Sequence, residues 1–226
     1  RHSLTTRVLC ATTGKRKTWS GATQTKFLGD VEKSWYLTHG KKKPDEAYAS
    51  FYSKETEVTK PGYYSVKLDD YAIKVELTAS ERVGMHRYTF PESEEARIII
   101  DLSEGNSDNS VETYINQIND TTIEGYRFSK GWAEDQREYF TLLSSKSISD
   151  FVIYEDDQKV EGDETKGVYT KGFLEFKTSK NEEVIIKMGI SPVSSKNALE
   201  NIKSEIPHWN FDEIAAEADK KWNKEL

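Results

Sequence analysis

Alternation of apolar and polar side chains dominates the chain from residue 63 onward. In "YYSVKL" (63–68) and "IKVEL" (73–77) every second position is apolar, which is the period of a strand with one buried face. The run "ARIIIDL" (96–102) is almost wholly apolar over the length of a strand, as expected when both faces are covered. Further strands are predicted at 5–11, 82–90, 111–118, 122–129, 138–143, 150–154, 172–178 and 183–191.

Short polar segments rich in turn-forming residues separate these strands. Examples are Pro61-Gly62 and the run "SEGNSDNS" (103–110), both of which favour a change of chain direction. About a dozen short strands at this spacing predict a mainly β fold, a large antiparallel β-sandwich of the supersandwich type. We assign residues 1–192 to this sandwich domain, with a long irregular segment at 14–48.

The hydrophobic period changes to that of a helix in the remaining tail, residues 193–226. Pro207 divides the tail into two helices, and Asn210 with Glu213 three positions later gives the second helix a start like a capping box. An isolated helix of about this length is marginal in water, so we expect the second helix to pack back on the sandwich, with Trp222 at the contact. Each helix has one apolar face: Ala198, Leu199, Ile202 and Ile206 in the first, and Phe211, Ile214, Ala215, Ala218 and Trp222 in the second.

Composition argues against several classes of function. The 226 residues carry a net charge of -7 with 31% charged side chains, which argues against nucleic acid as the main partner. Cys10 is the only cysteine, so neither an internal disulfide nor a cysteine-based metal cluster is available. The sequence contains no run of about 18 apolar residues, so no transmembrane helix is predicted.

The stretch "ELTASERVGMHRYTFP" (76–91) carries Arg82, His86 and Arg87 close together, a combination that occurs in active sites. As a strand, it places His86 on the same face as two aromatic residues, Tyr88 and Phe90. A strand face of this kind is typical of packing within a sheet. We therefore interpret Arg82 and His86 as structural residues.

No ligand set for a metal ion is evident in the sequence. The four histidines have no H-x-x-x-H spacing, and the Asp- and Asn-rich run from Asp101 to Asn109 lacks the spacing and the terminal Glu of an EF-hand loop. We interpret this run as a solvated hairpin loop, and the acidic run "YEDDQKVEGDE" (154–164) as turns around a short strand. The prediction is that this chain binds no metal and no cofactor.

Trp132 is the one substrate-binding candidate. It follows Gly131 between two predicted strands, where it can either stack on a sugar at a loop rim or pack over the end of the sandwich. No G-x-S-x-G motif, Gly-rich phosphate loop or C-x-x-C motif occurs. The 39 acidic residues make any choice of a carboxylate pair for glycoside hydrolysis arbitrary, so we assign no catalytic residue.

Several of these segments resemble a known family. "KPGYYSVKLDDYAIKVELTASERVGMHRYTFP" (60–91) and "ARIIIDLS" (96–103) look like the N-terminal domain of the glycoside hydrolase family 92 α-mannosidases. "TTGK" (12–15) resembles a motif that closes an earlier strand of that domain, and "TIEGYRFSKGWAEDQREYF" (122–140) resembles its next hairpin, including the Gly131-Trp132 pair. "WNFDEIAAEADKKWNKEL" (209–226) resembles the helix that leads to the catalytic domain. The resemblance runs from Thr12 to Leu226 and is strongest over 57–140.

The resemblance implies a parent enzyme in which the sandwich precedes an (α/α)6 catalytic barrel. Members of the family are exo-acting enzymes, often α-1,2-mannosidases, in which the barrel supplies the general acid, the general base and the calcium ligands of an inverting hydrolysis. The sandwich lends loops to the mannose pocket at the junction. For this chain the resemblance implies the catalytic barrel and mannose-containing glycans as partners, calcium only in the catalytic domain of the parent, and a secreted, periplasmic or cell-surface location.

The sequence departs from the family pattern in three respects. It ends at Leu226, where the barrel is expected to begin, so no catalytic or calcium-binding residue of the family has a counterpart and the chain alone is predicted to be inactive. A sugar-contacting loop and an "SHTH"-like stretch of the family have no counterpart before Arg1, and residues 19–47 do not follow the pattern. Two other functions stay open: a structural or interaction domain without sugar affinity, and a free-standing carbohydrate-binding module that uses exposed aromatics such as Trp132, Trp19 or Trp35.

Overall fold

The computed structural model describes residues 9–12, 50, 52–69, 71–103, 108–156 and 158–225. A short 3-10 turn, Lys54–Thr56, precedes most of the strands, and two helices follow the last strand: α1 (Ser195–Glu205) and α2 (Phe211–Glu225). The strands in chain order are β1 (Leu9–Thr12), β2 (Val58–Lys60), β3 (Tyr63–Leu68), β4 (Ile73–Ala79), β5 (Val83–Phe90), β6 (Ser93–Asp101), β7 (Asn109–Asn119), β8 (Thr122–Lys130), β9 (Gln136–Ser144), β10 (Asp150–Glu155), β11 (Gln158–Val160), β12 (Glu164–Gly167), β13 (Lys171–Thr178) and β14 (Glu182–Ser191).

The larger of two antiparallel sheets has nine strands in the order β12-β7-β8-β9-β14-β5-β4-β3-β2. Two meanders of chain neighbours, β2 to β5 and β7 to β9, make up most of it. β14 lies between them, and its Ile186 pairs with His86 on one side and with Ser144 on the other. The last strand of the chain therefore joins the two meanders into one sheet.

The smaller sheet has five strands in the order β1-β6-β13-β10-β11. β6 is central to its first half, because Ile99 pairs with Cys10 of β1 and with Phe173 of β13. Only β10 and β11 form a hairpin, and the other pairs join segments that are distant in the chain. β12 lies between β11 and β13 in sequence but belongs to the larger sheet, so the chain crosses between the sheets twice over 158–171.

The main core lies between the two sheets and is almost wholly apolar. Ile98 and Ile100 of β6 contribute to it, while Ile99 points the other way and is buried with Val152 and Phe173 on the outer face of the smaller sheet. The prediction that the run 96–102 is covered on both faces is confirmed. Residues from the larger sheet that are fully buried in the main core include Ile73, Tyr88, Phe90, Ile123, Phe140 and Ile186.

Helices α1 and α2 cover part of the outer face of the larger sheet. Their apolar residues, among them Ile202 and Phe211, form a second buried cluster with Val83 and Met85 of β5. The predicted docking of α2 is confirmed, but the predicted place of Trp222 is wrong, because its relative exposure is 43%. This end of α2 lies over the Pro61-Gly62 turn at the edge of the sheet, so only part of the indole is covered.

The predicted capping of α2 is confirmed. The Glu213 amide donates to Asn210 Oδ1 at 3.3 Å, and Asn210 Nδ2 donates to Glu213 Oε2 at 3.1 Å. The first bond satisfies one of the backbone amide hydrogens that the first turn of a helix leaves without a partner, and the second holds the Asn210 side chain in place. Residues close in sequence therefore define where α2 starts.

The predicted mainly β sandwich with two C-terminal helices is confirmed. Strands β2 and β12 were not predicted, because they are short, lie at the two edges of the larger sheet and have no run of buried alternate positions. The early strand predicted at 5–11 falls partly within β1, and its other residues, like the segment 14–48, lie outside the described residues. The domain boundary between residues 192 and 193 stays a prediction.

Candidate functional site

Trp132 lies in the loop of the β8–β9 hairpin. Ser129 and Gln136 are the last pair of the hairpin, and across the loop the Gly131 amide donates to the Ala133 carbonyl at 3.0 Å. The relative exposure of Trp132 is 101%, so its indole has no contact with the sandwich. The alternative that Trp132 packs over the sandwich end is therefore wrong, because the loop holds the side chain beyond the last strand pair.

The beginning of β7 lies beside this hairpin. Asn109 pairs with Lys130, and a β-bulge between Ser110 and Glu112 interrupts the register. The pairing of β7 with β12 reaches no further in this direction than Thr113, so the first residues of β7 pair only with β8 among the described strands. Bulges of this kind are frequent next to functional sites, where they redirect side chains.

Arg127 of β8 lies between the two sheets at the same end of the sandwich. Its side chain is 3% exposed and donates to both carboxylate oxygens of Asp108, at 2.7 and 3.1 Å, and to the Leu102 carbonyl at 2.9 Å. Desolvation alone would raise the pKa of Asp108, but hydrogen bonds from Arg127 and Ser129 lower it below its usual value. The pair therefore stays ionic while it is buried.

The contact between Arg127 and Asp108 corrects the prediction for the two ends of the run from Asp101 to Asn109, whose middle, 104–107, lies outside the described residues. That run was expected to be a solvated hairpin loop. Its flanking strands, β6 and β7, belong to different sheets, so the segment connects sheets instead of closing a hairpin. Asp101 is buried and Asp108 is bound to Arg127 because both lie where the sheets meet.

A second group of hydrogen bonds joins the sheets at this end. Thr113 Oγ1 of β7 donates to Thr170 Oγ1 at 2.7 Å, and Thr170 Oγ1 donates to Glu155 Oε2 at 2.6 Å. Glu155 Oε1 accepts from two backbone amides of the loop before β13, at 2.8 and 2.9 Å. This loop presents Tyr169, with a relative exposure of 52%, at the same end as Trp132. The sequence analysis missed Tyr169 because its polar surroundings show no period.

Two further polar side chains at this end, Ser110 and Gln136, are less well satisfied. Ser110, Ser129 and Gln136 are cross-strand neighbours on β7, β8 and β9, so they share one face of the sheet. Ser110 Oγ and Gln136 Nε2 are buried and have no hydrogen-bond partner within the described residues. Glu138 follows on the same face of β9 and pairs in register with Arg127.

Glu138 is the only carboxylate of this end whose pKa is raised above its usual value, among the residues that the structure describes. Desolvation of the carboxyl group is the main cause of the raised pKa. The charge of Asp108 raises the pKa further, whereas the charge of Arg127 lowers it. No hydrogen bond or ion pair within the same ranges reaches the side chain. Glu138 is therefore a half-buried carboxylate whose acceptor oxygens are not used by the described fold.

His86 lies in the main core and not in a site. Its relative exposure is 2%, and its Nδ1 lies 3.0 Å from the hydroxyl oxygen of Tyr88. Desolvation lowers its pKa to about 4, so the imidazole is neutral at neutral pH. Arg82 forms an ion pair with Glu205 of α1. The interpretation of both residues as structural is confirmed by these contacts.

The Trp132 end offers an exposed aromatic face together with hydrogen-bond donors and acceptors, a combination that suits a ligand with apolar and hydroxyl-bearing sides. Among the described residues, no group of three or more His, Cys, Asp and Glu side chains could hold a metal ion. No helix among the described residues is both long enough and apolar enough to cross a lipid bilayer.

Comparison with known proteins relates this chain to one family. The N-terminal domain of glycosyl hydrolase family 92 matches residues 20–191. The family GH92 α-mannosidase BT3965 from Bacteroides thetaiotaomicron is 32% identical, with a TM-score of 0.83 over 98% of this chain and 28% of that one. The structure of BT3965 in complex with mannoimidazole gives the same TM-score of 0.83 over the same share of this chain.

A second enzyme of the same organism shares the fold. The family GH92 inverting mannosidase BT2199 is 21% identical, with a TM-score of 0.68 over 76% of this chain and 23% of that one. The comparison with curated proteins gave no match. This chain spans less than a third of the length of either mannosidase. On the match to residues 20–191 and the 32% identity to BT3965, the chain belongs to glycosyl hydrolase family 92, as its N-terminal domain.

Proposed function

We propose that this chain is the N-terminal sandwich of an exo-acting α-mannosidase that removes mannose from α-1,2-linked, mannose-containing glycans. The observation that supports the proposal is the similarity to the α-mannosidase BT3965 over 98% of this chain. Because the chain spans 28% of that enzyme, the proposal assigns catalysis to a further domain, the (α/α)6 barrel that is typical of the family. The sandwich would close one side of the mannose pocket and stabilise the barrel.

In this proposal the Trp132 end of the sandwich faces the sugar. An indole offers a flat apolar surface to the C–H face of a pyranose, while its N–H stays available for a hydrogen bond. The loop that carries Trp132 is closed by the hydrogen bond from the Gly131 amide to the Ala133 carbonyl, at 3.0 Å. A large apolar side chain that is wholly exposed on such a loop is expected at a contact surface.

Calcium belongs to the catalytic domain in this proposal. Calcium takes about six to eight oxygen ligands, and the described residues of the sandwich include no group of acidic or imidazole side chains that could hold it. We therefore derive no metal-assisted step from this chain. Purified on its own, the 226-residue chain should release no mannose from any α-mannoside, with or without added calcium.

The proposal is tested on the natural protein that contains this sequence. Mannose release is measured from α-1,2-, α-1,3- and α-1,6-linked mannobiose, with calcium and with a chelator. We expect release from the α-1,2-linked substrate that depends on calcium. No release from any mannobiose would overturn the proposed activity, and preference for another linkage would overturn the α-1,2 assignment.

The role of Trp132 is tested in the same protein. Trp132→Ala should raise KM roughly tenfold, because loss of a stacking contact costs about 1–2 kcal/mol. Trp222→Ala is the matched control, since Trp222 is an indole that is also exposed in part, but it lies on α2 and not at the Trp132 end. A KM that is unchanged in Trp132→Ala, or raised equally in both variants, would argue against contact between Trp132 and the sugar.

A free-standing carbohydrate-binding module is the second candidate function. The presence of two exposed aromatic residues, Trp132 and Tyr169, at one end of the sandwich favours it. Such a module would bind mannose-containing glycans on an array as the isolated chain, and the binding would fall in Trp132→Ala. A purely structural domain would show no such binding, and its removal would only destabilise the parent enzyme.

A further inference from the structure

We propose that Tyr169, in the loop 168–170, is a second sugar-contacting residue of the Trp132 end, and that Glu155 positions it for a sugar unit beyond the one that Trp132 contacts. The inference rests on the proposed function and deepens it, because it predicts that the sandwich binds longer mannose-containing glycans better than short ones. Two observations carry it: the exposure of Tyr169, 52%, and the hydrogen bonds that fix the loop around it.

Glu155 is the last residue of β10, and its side chain points between the sheets. It follows Phe151 and Ile153 of the main core, and side chains two positions apart share one face of a strand. Its Oε1 accepts from the backbone amides of residues 168 and 169, at 2.8 and 2.9 Å, and its Oε2 accepts from the Thr170 hydroxyl at 2.6 Å. One carboxylate thus binds three successive residues of the loop, and hydrogen bonds to a charged acceptor are stronger than neutral ones.

The loop has further partners on both sheets. Thr170 Oγ1 accepts from Thr113 Oγ1 of β7 in the larger sheet, at 2.7 Å. The Thr170 carbonyl accepts from the amide of Leu102, directly after β6 of the smaller sheet, at 3.0 Å. The backbone of Tyr169 is therefore fixed, while its side chain stays half-exposed.

Gly167, the residue before the loop, lets the Glu155 carboxylate approach this closely. A Cβ at residue 167 would overlap the carboxylate carbon and both of its oxygens. Any other residue at this position would therefore push the carboxylate away from the amides of the loop. The glycine, the carboxylate and the loop form one unit that sets the position of Tyr169.

The strand register places Tyr169 and Trp132 at a distance from each other. Gly167 pairs with Thr113, and Thr113 pairs with Arg127, so Gly167 and Arg127 lie two strand spacings apart, about 10 Å. Tyr169 follows Gly167 by two residues and Trp132 follows Arg127 by five, and both continuations run towards the same end of the sheet. The separation is wider than one pyranose ring, so the two aromatic residues can contact different units of one glycan.

A tyrosine on a fixed loop suits a sugar. The phenol ring offers an apolar face to the C–H side of a pyranose, and its hydroxyl can bond a sugar hydroxyl. A loop that is ordered before binding lowers the entropy that the ligand contact costs, and a tyrosine has only two side-chain torsions to restrict. A loop that is fixed for folding alone has no need of an exposed aromatic ring, so the two roles differ in what truncation of Tyr169 does to glycan affinity.

The inference is tested by NMR titration of the 226-residue chain with α-1,2-linked mannobiose and mannotetraose. Mannotetraose should bind with a Kd on the order of 1 mM, roughly fivefold tighter than mannobiose, because only the longer glycan reaches Tyr169. This factor is the size expected of one aromatic contact. Tyr169→Ala should remove the difference between the two glycans, and Tyr169→Phe, which keeps the ring, should largely retain it.

Ile118→Ala is the matched control for the truncation of Tyr169. Ile118 is 49% exposed and lies near the opposite end of β7, so its truncation should leave both dissociation constants unchanged.

The positioning role of Glu155 is tested in the same titration. Glu155→Leu should reduce the preference for mannotetraose as much as Tyr169→Ala does, and the double variant should lose no more than Tyr169→Ala alone. Glu155→Gln should keep most of the preference, because its amide oxygen still accepts from the two backbone amides. A wild-type preference in a folded Glu155→Leu would overturn the positioning role.

The other outcomes separate the contact of Tyr169 from the proposed function. Equal affinity of the wild-type chain for the two glycans, or no saturable shift with mannotetraose, would overturn the inference. So would a preference that is unchanged in Tyr169→Ala. The mannosidase proposal is decided separately, by mannose release from the natural protein.

Discussion

The guanidinium carbon of Arg87 on β5 lies 4.4 Å from the centre of the Phe211 ring, at the first residue of α2. The same guanidinium donates to both carboxylate oxygens of Glu76 on β4, each at 2.9 Å, and to Asp212 at 3.1 and 3.2 Å. One side chain of the sheet therefore holds the start of α2 by a cation–π contact and an ion pair. The start of the tail helix is thus fixed to the sheet by a largely buried side chain, whereas its end is held by the exposed ion pair between Lys221 and Glu81.

Phe211→Ala should therefore release α2, whereas Trp222→Ala should not. Phe211 is almost fully buried in the cluster between α2 and the sheet, and its truncation should lower the free energy of unfolding by about 3–4 kcal/mol. Trp222 is partly exposed, so its truncation should cost about 1 kcal/mol or less. Urea denaturation and limited proteolysis of the tail measure both effects. Equal costs for the two variants would contradict an anchor at Phe211.

Gly62 lies beneath α2, and a side chain there should displace the helix. Its φ is +75°, and a Cβ at this position would lie 2.8 Å from the Cβ of Ala218. Gly62→Ala should lower the free energy of unfolding by about 2–3 kcal/mol, through backbone strain and overpacking together. Gly162→Ala is the matched control, because its φ is +104° and no atom lies within 4 Å of the added Cβ. The control should cost only about 1 kcal/mol, and an equal loss in both variants would argue against the clash.

His86 should make stability depend on pH between its two pKa values. Desolvation lowers the pKa from 6.5 to about 4, so the unfolded chain binds more protons than the folded chain in this window. Stability should fall as pH drops from about 6.5 to 4, by on the order of 2–3 kcal/mol. His86→Ala should remove this slope, cost about 1–3 kcal/mol at neutral pH and leave mannoside affinity unchanged. Urea denaturation at a series of pH values is the measurement, with the half-exposed His208→Ala as control.

Glu76 should contribute a second slope at lower pH. Desolvation raises the pKa of this buried carboxyl, but hydrogen bonds from Arg87, Tyr63 and Lys74 outweigh it and bring the pKa from 4.5 to about 2. A depressed carboxyl pKa stabilises the fold above the unfolded value, so this contribution is lost as pH falls from about 4.5 towards 2, by on the order of 2 kcal/mol. Glu76→Gln should flatten the slope in this window. The exposed Glu94→Gln is the control and should leave it in place.

Much of the fold could be predicted from the sequence because its strands alternate clearly. The sequence of β4 has an apolar residue at every second position, and Ile73 and Val75 of this set are buried in the core. The pair Asn210 and Glu213 correctly predicts where α2 starts. β12, "ETKG", could not be predicted. It is a short edge strand, and the side chains that join it to β7 make polar contacts, Tyr114 with Glu164 and Lys166 with Glu112. Such contacts leave no apolar alternation in the sequence.

The candidate site could be predicted only in part. Trp132 could be recognised as a candidate because a large aromatic side chain is unusual in a short polar turn between two strands. The contact of Arg127 with Asp108, and the nearness of Ser110 to Gln136, depend on the pairing of β7, β8 and β9. Tyr169 reaches the same end only because Glu155 holds its loop. Such relationships arise from register between strands, which a single sequence does not contain.

The late position of β14 has a consequence for how the domain is made. This strand alone joins the two meanders of the larger sheet, and the smaller sheet likewise needs β13 beside β6. During synthesis, roughly 70 residues separate the emergence of β6 from that of β13, which at about 5–20 residues per second takes roughly 4–14 s. Until β13 emerges, β6 lacks this strand partner in the nascent chain. The sandwich can be completed only after β14, which ends at Ser191, has left the ribosome.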